Sequence, residues 1–124
     1  MISEEATPLI INIAKKFITL IRGVEPSWQT AYLRFVFRGS AAETKASYVH
    51  AAGVDIIDVL KHREFFHAVT RQGQELLSAH GKEHGLFLLI ADSSFNYEIK
   101  FEYEDLDKWR ISKISGTGVP EGLG

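Results

Sequence analysis

The sequence predicts an α+β domain in which a four-stranded, mainly antiparallel sheet carries two helices on one face. Two amphipathic helical stretches and two pairs of strand-like stretches follow one another in the order α-β-β-α-β-β. With 124 residues, the chain has the length of one domain. We therefore predict a single domain over residues 1–124, of which residues 116–124 form a loose tail.

Apolar residues at helical spacing predict the first helix. The set is Leu9, Ile10, Ile13, Phe17, Leu20 and Ile21. Two N-caps are possible, Ser3 and Thr7, the second being followed by a proline. Gly23 is expected to end this helix.

The period changes to two between residues 28 and 38, which predicts a strand. Leu33, Phe35 and Phe37 are expected to face the helices. A second strand over about residues 45–51 completes a hairpin and ends at Gly53. Tyr48 is expected to lie with Tyr32 and Val36 on the outer face of the sheet.

A second helical region is predicted between residues 55 and 80. Either Asp55 or Asp58 could cap its start. Gly73 lies on its apolar face, which indicates a close contact between helix and sheet, and Gly81 is expected to end it.

The second hairpin starts with a fully apolar run at residues 86–91, typical of a central strand. A turn at residues 92–94 leads to residues 95–103, where aromatic and charged residues alternate. We expect Phe101 to be buried together with Phe35 and Phe66 where the sheet meets the second helix.

Composition excludes several classes of protein. The absence of cysteine rules out disulfides and thiolate chemistry. The acidic start is unlike a signal peptide, and the longest apolar run is far shorter than a membrane span, so we expect a cytoplasmic protein without membrane contact. A net charge of −2 argues against nucleic-acid binding.

No motif predicts catalysis, a metal or a cofactor. His62 and His67 are five residues apart, which separates them by about 140° on a helix. His80 and His84 have a suitable spacing for zinc, but Gly81 is expected to break the helix between them. We therefore predict no catalytic residue, no metal site and no cofactor.

Acidic residues are concentrated late in the chain: residues 92–110 contain six acids and three bases. Glu98 and Glu102 are about 13 Å apart on a strand, too far for a glycosidase pair. They form either a solvated face or a binding surface for a basic partner. We favour the binding surface because Glu104, Asp105 and Asp107 continue the charge, and we expect aromatic anchors from the set Tyr32, Tyr48 and Trp109.

The stretch from Phe95 to Leu106 resembles the aromatic and acidic strand motif of the YezG-like immunity proteins. The order of elements over about residues 9–107 agrees with that family. The resemblance implies a cytoplasmic antitoxin that binds and blocks the toxin domain of a polymorphic or contact-dependent growth inhibition system, in many cases a nuclease. It implies a protein partner, no enzymatic activity and no cofactor.

Two alternatives from other classes remain. One is a small-ligand-binding or enzymatic α+β domain with a pocket between sheet and helices. The other is a structural dimerisation module that uses Tyr32, Val36 and Tyr48 as an apolar patch.

Overall fold

The chain begins with a long helix, continues through three strands, and then forms a second helix and two further strands. In this computed structural model the described residues are Glu4, 6–114 and 116–123. The elements are α1 (Ala6–Val24), β1 (Thr30–Phe37), β2 (Ala42–His50), β3 (Gly53–Ile56), a 3₁₀ helix (Val59–Lys61), α2 (Arg63–Ala79), β4 (Gly85–Asp92) and β5 (Tyr97–Glu102). The α+β class with two helices is confirmed.

The described residues form one sheet of five strands in the spatial order β3-β2-β1-β4-β5. Every neighbouring pair is antiparallel. The prediction of four strands is therefore wrong, and the reason lies at Gly53. This glycine has a φ of 137°, a conformation open mainly to glycine, so the chain reverses there and pairs again with β2 instead of ending the sheet.

Both helices pack on one face of the sheet, as predicted. They share one buried cluster with the inward residues of the strands, among them Ile13, Phe17, Val69, Leu76, Leu33, Phe35 and Phe87. Gly73 confirms the expected close contact, because a Cβ built on it would lie 2.8 Å from the Phe35 ring.

The ends of α2 follow from local hydrogen bonds. The helix is shorter than predicted, because residue 55 lies in β3 and Asp58 caps the 3₁₀ helix by accepting from the Leu60 N–H. At the other end, Gly81 has a φ of 70°. The Gly81 N–H donates to the Ser78 carbonyl and the Lys82 N–H to the Leu77 carbonyl, which is a Schellman motif. Gly81 thus ends α2 as predicted.

The opposite face of the sheet is covered by the C-terminal segment, which we define as residues 104–114 and 116–123. Its apolar residues join those of β1 and β4 in a second buried cluster of Tyr32, Val36, Leu86, Leu88, Trp109 and Ile111. Arg34 lies in the same layer and is only 4% exposed. Its Nε donates to the Lys108 carbonyl at 2.9 Å and its Nη2 to the Leu106 carbonyl at 2.7 Å.

The far part of the C-terminal segment reaches β2 and β3. The buried Ser47 hydroxyl donates to the Gly118 carbonyl at 2.6 Å. Gly118 has a φ of 99°, and a Cβ on it would lie 2.9 Å from Val54. Pro120 is also buried. The sequence predicts a loose tail over 116–124, whereas the described residues 116–123 lie against the sheet; residue 124 is outside the described range.

The strand register corrects the position of Tyr48. Ala31 pairs with Tyr48 and Leu33 with Ala46, and directly paired residues share a face of an antiparallel sheet. Tyr48 therefore belongs to the helix face, contrary to the prediction. Tyr32 and Val36 do lie on the other face, but the C-terminal segment covers them, so the apolar patch predicted for dimerisation is not exposed.

Candidate functional site

The acidic strand predicted from the sequence is β5, at the edge of the sheet. It pairs only with β4, in a register that places Phe101 opposite Phe87 and Ile99 opposite Leu89. Because Phe87 and Leu89 belong to the helix-side core, Ile99 and Phe101 face the helices. Glu98, Lys100 and Glu102 consequently face the opposite side. The predicted assignment of the two faces is confirmed.

The aromatic face of β5 is covered only in part. Phe35 and Phe66 are buried, but Phe101 is only partly buried against Phe87, His80 and Tyr103. The expectation of three phenylalanines fully buried together is therefore met by two of them. Tyr97, at the start of β5, is 41% exposed.

Phe95 lies before β5, in the turn between β4 and β5. Asp92 fixes this turn: its Oδ1 accepts from the N–H groups of Ser94 and Asn96, and its carbonyl accepts from the Phe95 N–H. Phe95 has a φ of 68°, which costs an ordinary residue about 1–2 kcal/mol. The turn holds the ring 53% exposed, with the Arg22 guanidinium 5.2 Å from its centroid.

Two of the five predicted acids are used within the chain. Glu102 accepts from the N–H groups of Glu104 and Asp105 and from the Lys108 ammonium at 3.2 Å. These hydrogen bonds, the one from the Glu104 N–H first, hold the pKa of Glu102 below its usual value. Asp107 pairs with Arg38 at 2.9 Å and with Arg110 at 3.4 Å. Arg38 is the main cause of the lowered pKa of Asp107.

The other three acids are available to a partner. Glu98 and Glu104 are exposed and have no ion-pair or hydrogen-bond acceptor role towards other described residues. Asp105 is exposed as well, and its carboxylate accepts only from the Asp107 N–H at 3.1 Å. We call Phe95, Tyr97, Glu98, Glu104 and Asp105 the β5 edge surface. It runs along the unpaired edge of a strand about 20 Å long.

The three aromatic residues predicted as anchors are buried. Tyr32 and Trp109 pack in the outer cluster under the C-terminal segment, and Tyr48 packs on the helix side. Each of them exposes less than a tenth of its surface. The exposed aromatics are Phe95 and Tyr97 instead. The signal for them is positional: Tyr97 begins a strand at the edge of the sheet, and Phe95 follows directly on the turn predicted at residues 92–94.

Little in the described part of the chain is suited to hold a metal or to enter a bilayer. No group of three or more histidine or acidic side chains there has the proximity that a metal ion requires. Neither α1 nor α2 combines the length and apolar character of a membrane span. The protein was also compared with known proteins: no family model matches the chain, and no curated protein matches it.

Proposed function

We propose that this chain is an immunity protein that neutralises a cognate bacterial toxin domain, of the nuclease type, by stoichiometric binding. The observation that carries the proposal is the β5 edge surface. Two exposed aromatic rings, Phe95 and Tyr97, lie at the start of this edge strand. The exposed carboxylates of Glu98, Glu104 and Asp105, which are spread along the strand and past its end, form no ion pair with any described residue. The resemblance of residues 95–106 to the YezG-like immunity proteins, which involves the same stretch of the chain, supports the same function.

The β5 edge surface combines the two requirements of a fast and tight protein inhibitor. Exposed aromatic residues supply most of the binding energy in protein interfaces, since each removes a large rigid surface from water. Unpaired carboxylates accelerate association with a basic partner. The turn held by Asp92 fixes Phe95 before binding, which lowers the entropic cost of association.

A simpler explanation covers part of the same surface. Charged residues on an edge strand prevent edge-to-edge pairing between copies of a protein, and Glu98 and Lys100 suit that task. Protection of the edge does not explain Phe95, whose exposed ring is held by a backbone conformation that costs free energy. Binding of a partner that covers this ring would account for that cost.

Co-expression with the toxin domain of the neighbouring reading frame tests the proposal. The wild-type chain should restore growth and co-elute with the toxin. The double variant Phe95→Ala/Tyr97→Ala should lose protection while keeping its unfolding curve. Leu60→Ala is the matched control, because Leu60 is 71% exposed on the 3₁₀ helix away from β5. Absence of a wild-type complex would refute the function; equal protection by the double variant would refute the surface.

A further inference from the structure

A second polar feature lies on the outer face of the sheet, between β1, β2 and the C-terminal segment. It is a cavity of about 260 Å³ lined by Arg34, Arg38, Glu43, Lys45, Arg110, Ile111 and Ser112. Four cationic side chains thus surround one carboxylate. We propose that this cavity binds a phosphate group, as inorganic phosphate or as the phosphomonoester of a small molecule.

The cations of the cavity exceed the acids that could neutralise them. Asp107 pairs with both Arg38 and Arg110, and Glu43 supplies one further negative charge in the lining. Neither Arg34 nor Lys45 has a carboxylate partner among the described residues; the Lys45 ammonium donates only to the Ile111 carbonyl, at 3.4 Å. Two positive charges therefore remain, and a phosphate dianion would neutralise them.

Like charges placed together in a chain repel one another, so their presence requires an explanation. Carbonyls of the C-terminal segment accept hydrogen bonds from Arg34 and Lys45, but a neutral carbonyl leaves the positive charge of each side chain uncompensated. Burial lowers the pKa of the Arg34 guanidinium, and Arg38 and Arg110 lower it further against the opposing effect of Glu43. The guanidinium groups are therefore within electrostatic reach of one another, and a bound anion would relieve their repulsion.

One arginine of the cavity lining, Arg34, is preorganised for an oxyanion. Arg34 is buried, and carbonyls of the C-terminal segment fix its Nε and Nη2. Its Nη1 has no partner among the described residues. A fixed guanidinium loses little side-chain entropy on binding and matches the geometry of phosphate oxygens. The volume lies below the range of about 300–1,000 Å³ usual for drug-sized ligands, so it suits a phosphate group with a small substituent.

Calorimetric titration at low ionic strength and pH 7.5, with inorganic phosphate and with glycerol phosphate as probes, tests the site. We expect at least one probe to bind, and the tighter one identifies the source of the phosphate group. The variant Lys45→Gln/Arg110→Gln should bind the phosphate probe at least about tenfold more weakly, because two charge-assisted hydrogen-bond donors are lost. Both side chains are exposed, so this variant should fold normally.

Two further variants separate a specific site from general electrostatic attraction. Lys15→Gln/Lys16→Gln removes the same charge from the exposed side of α1 and should leave binding unchanged. Glu43→Gln removes the only acid of the lining and should tighten binding several-fold. The proposal is overturned if neither probe binds at an ionic strength matched with chloride, if both lysine-containing double variants weaken binding equally, or if Glu43→Gln has no effect.

Discussion

Replacing Ile111 with alanine tests whether the C-terminal segment is part of the fold. Ile111 is 2% exposed and belongs to the outer buried cluster with Tyr32, Val36, Leu86, Leu88 and Trp109. The change removes three buried carbon groups, worth about 0.8 kcal/mol each, or about 2.4 kcal/mol in transfer free energy. The cavity left behind adds to this, so we expect a loss of about 2–4 kcal/mol in the free energy of unfolding.

Ile114→Ala is a matched control three residues away. Ile114 is fully exposed, so the same chemical change there should alter the free energy of unfolding by no more than about 0.5 kcal/mol. Urea denaturation followed by far-UV circular dichroism gives both values. In a Trp28→Phe background, in which Trp109 is the remaining tryptophan, fluorescence reports the segment itself, and coincidence of the two signals indicates that the segment and the sheet unfold together.

The comparison of the two isoleucines has a clear negative outcome. If Ile111→Ala and Ile114→Ala differ by less than about 1 kcal/mol, well below the transfer term alone, the segment does not bury Ile111 in solution. An earlier transition of Trp109 than of the circular dichroism signal would instead show a segment that detaches before the sheet unfolds. Either result would also mean that Arg110, Ile111 and Ser112, the residues that the segment contributes to the proposed phosphate site, are not held in place.

Three further predictions concern single positions. Gly73→Ala should lower the free energy of unfolding by about 1 kcal/mol, because an overpacking cost of about 1–3 kcal/mol against Phe35 exceeds the helix-propensity gain of about 1 kcal/mol. The control is Gln74→Ala, on the exposed side of α2. A Gly73→Ala variant more stable than the wild type would contradict the contact between Gly73 and Phe35. Gly118→Ala should destabilise by about 1–3 kcal/mol, through positive φ and contact with Val54, and an unchanged denaturation midpoint would show that residue 118 does not lie against β3. Burial, together with the charge of Lys82, lowers the pKa of His80 below 6.5. As the pH falls, the unfolded chain therefore binds the proton before the folded chain does, and the free energy of unfolding should fall between pH 7.5 and 5.5. His80→Gln should reduce this fall, and an identical pH dependence in the variant would refute the role given to His80.

The sequence predicted the helix-side half of the molecule well, because that half obeys simple periodicities. The apolar positions of α1, the alternation in β1 and β5, and the contact at Gly73 all follow from one buried face for each element. The error at Tyr48 has a different cause. The sequence of β2 alternates weakly, so its faces are set by the pairing register with β1, which depends on the geometry of the loop between them.

The outer layer escaped prediction because the C-terminal segment has no regular secondary structure and hence no period. The sequence feature that indicates this layer is a strand that is apolar on both faces. Residues 86–91 were identified as a central strand, but a strand apolar on both faces also requires a second covering layer. The described residues after β5 supply that layer. The same omission concealed the buried Arg34, whose partners are carbonyls of that segment.

The distribution of charge at β5 decides which part of the proposed interface should matter most. Of the five acids between residues 98 and 107, Glu102 and Asp107 are neutralised within the chain, and Lys100 lies on the same strand face as Glu98. The remaining field is weaker than the sequence suggests, and an exposed ion pair contributes only about 0–1 kcal/mol. A central aromatic anchor contributes about 2 kcal/mol or more.

On the proposed interface, we therefore expect Glu98→Lys to slow association only modestly and to reduce its salt dependence. Glu75→Lys, an equal change of charge on α2, should have no effect on the association rate. Phe95→Ala/Tyr97→Ala should instead accelerate dissociation by about thirtyfold or more, the factor that corresponds to about 2 kcal/mol. Stopped-flow and surface-binding kinetics separate the two rates. A double variant with unchanged dissociation and a large effect of Glu98→Lys would mean that charge, and not the exposed rings, holds the partner.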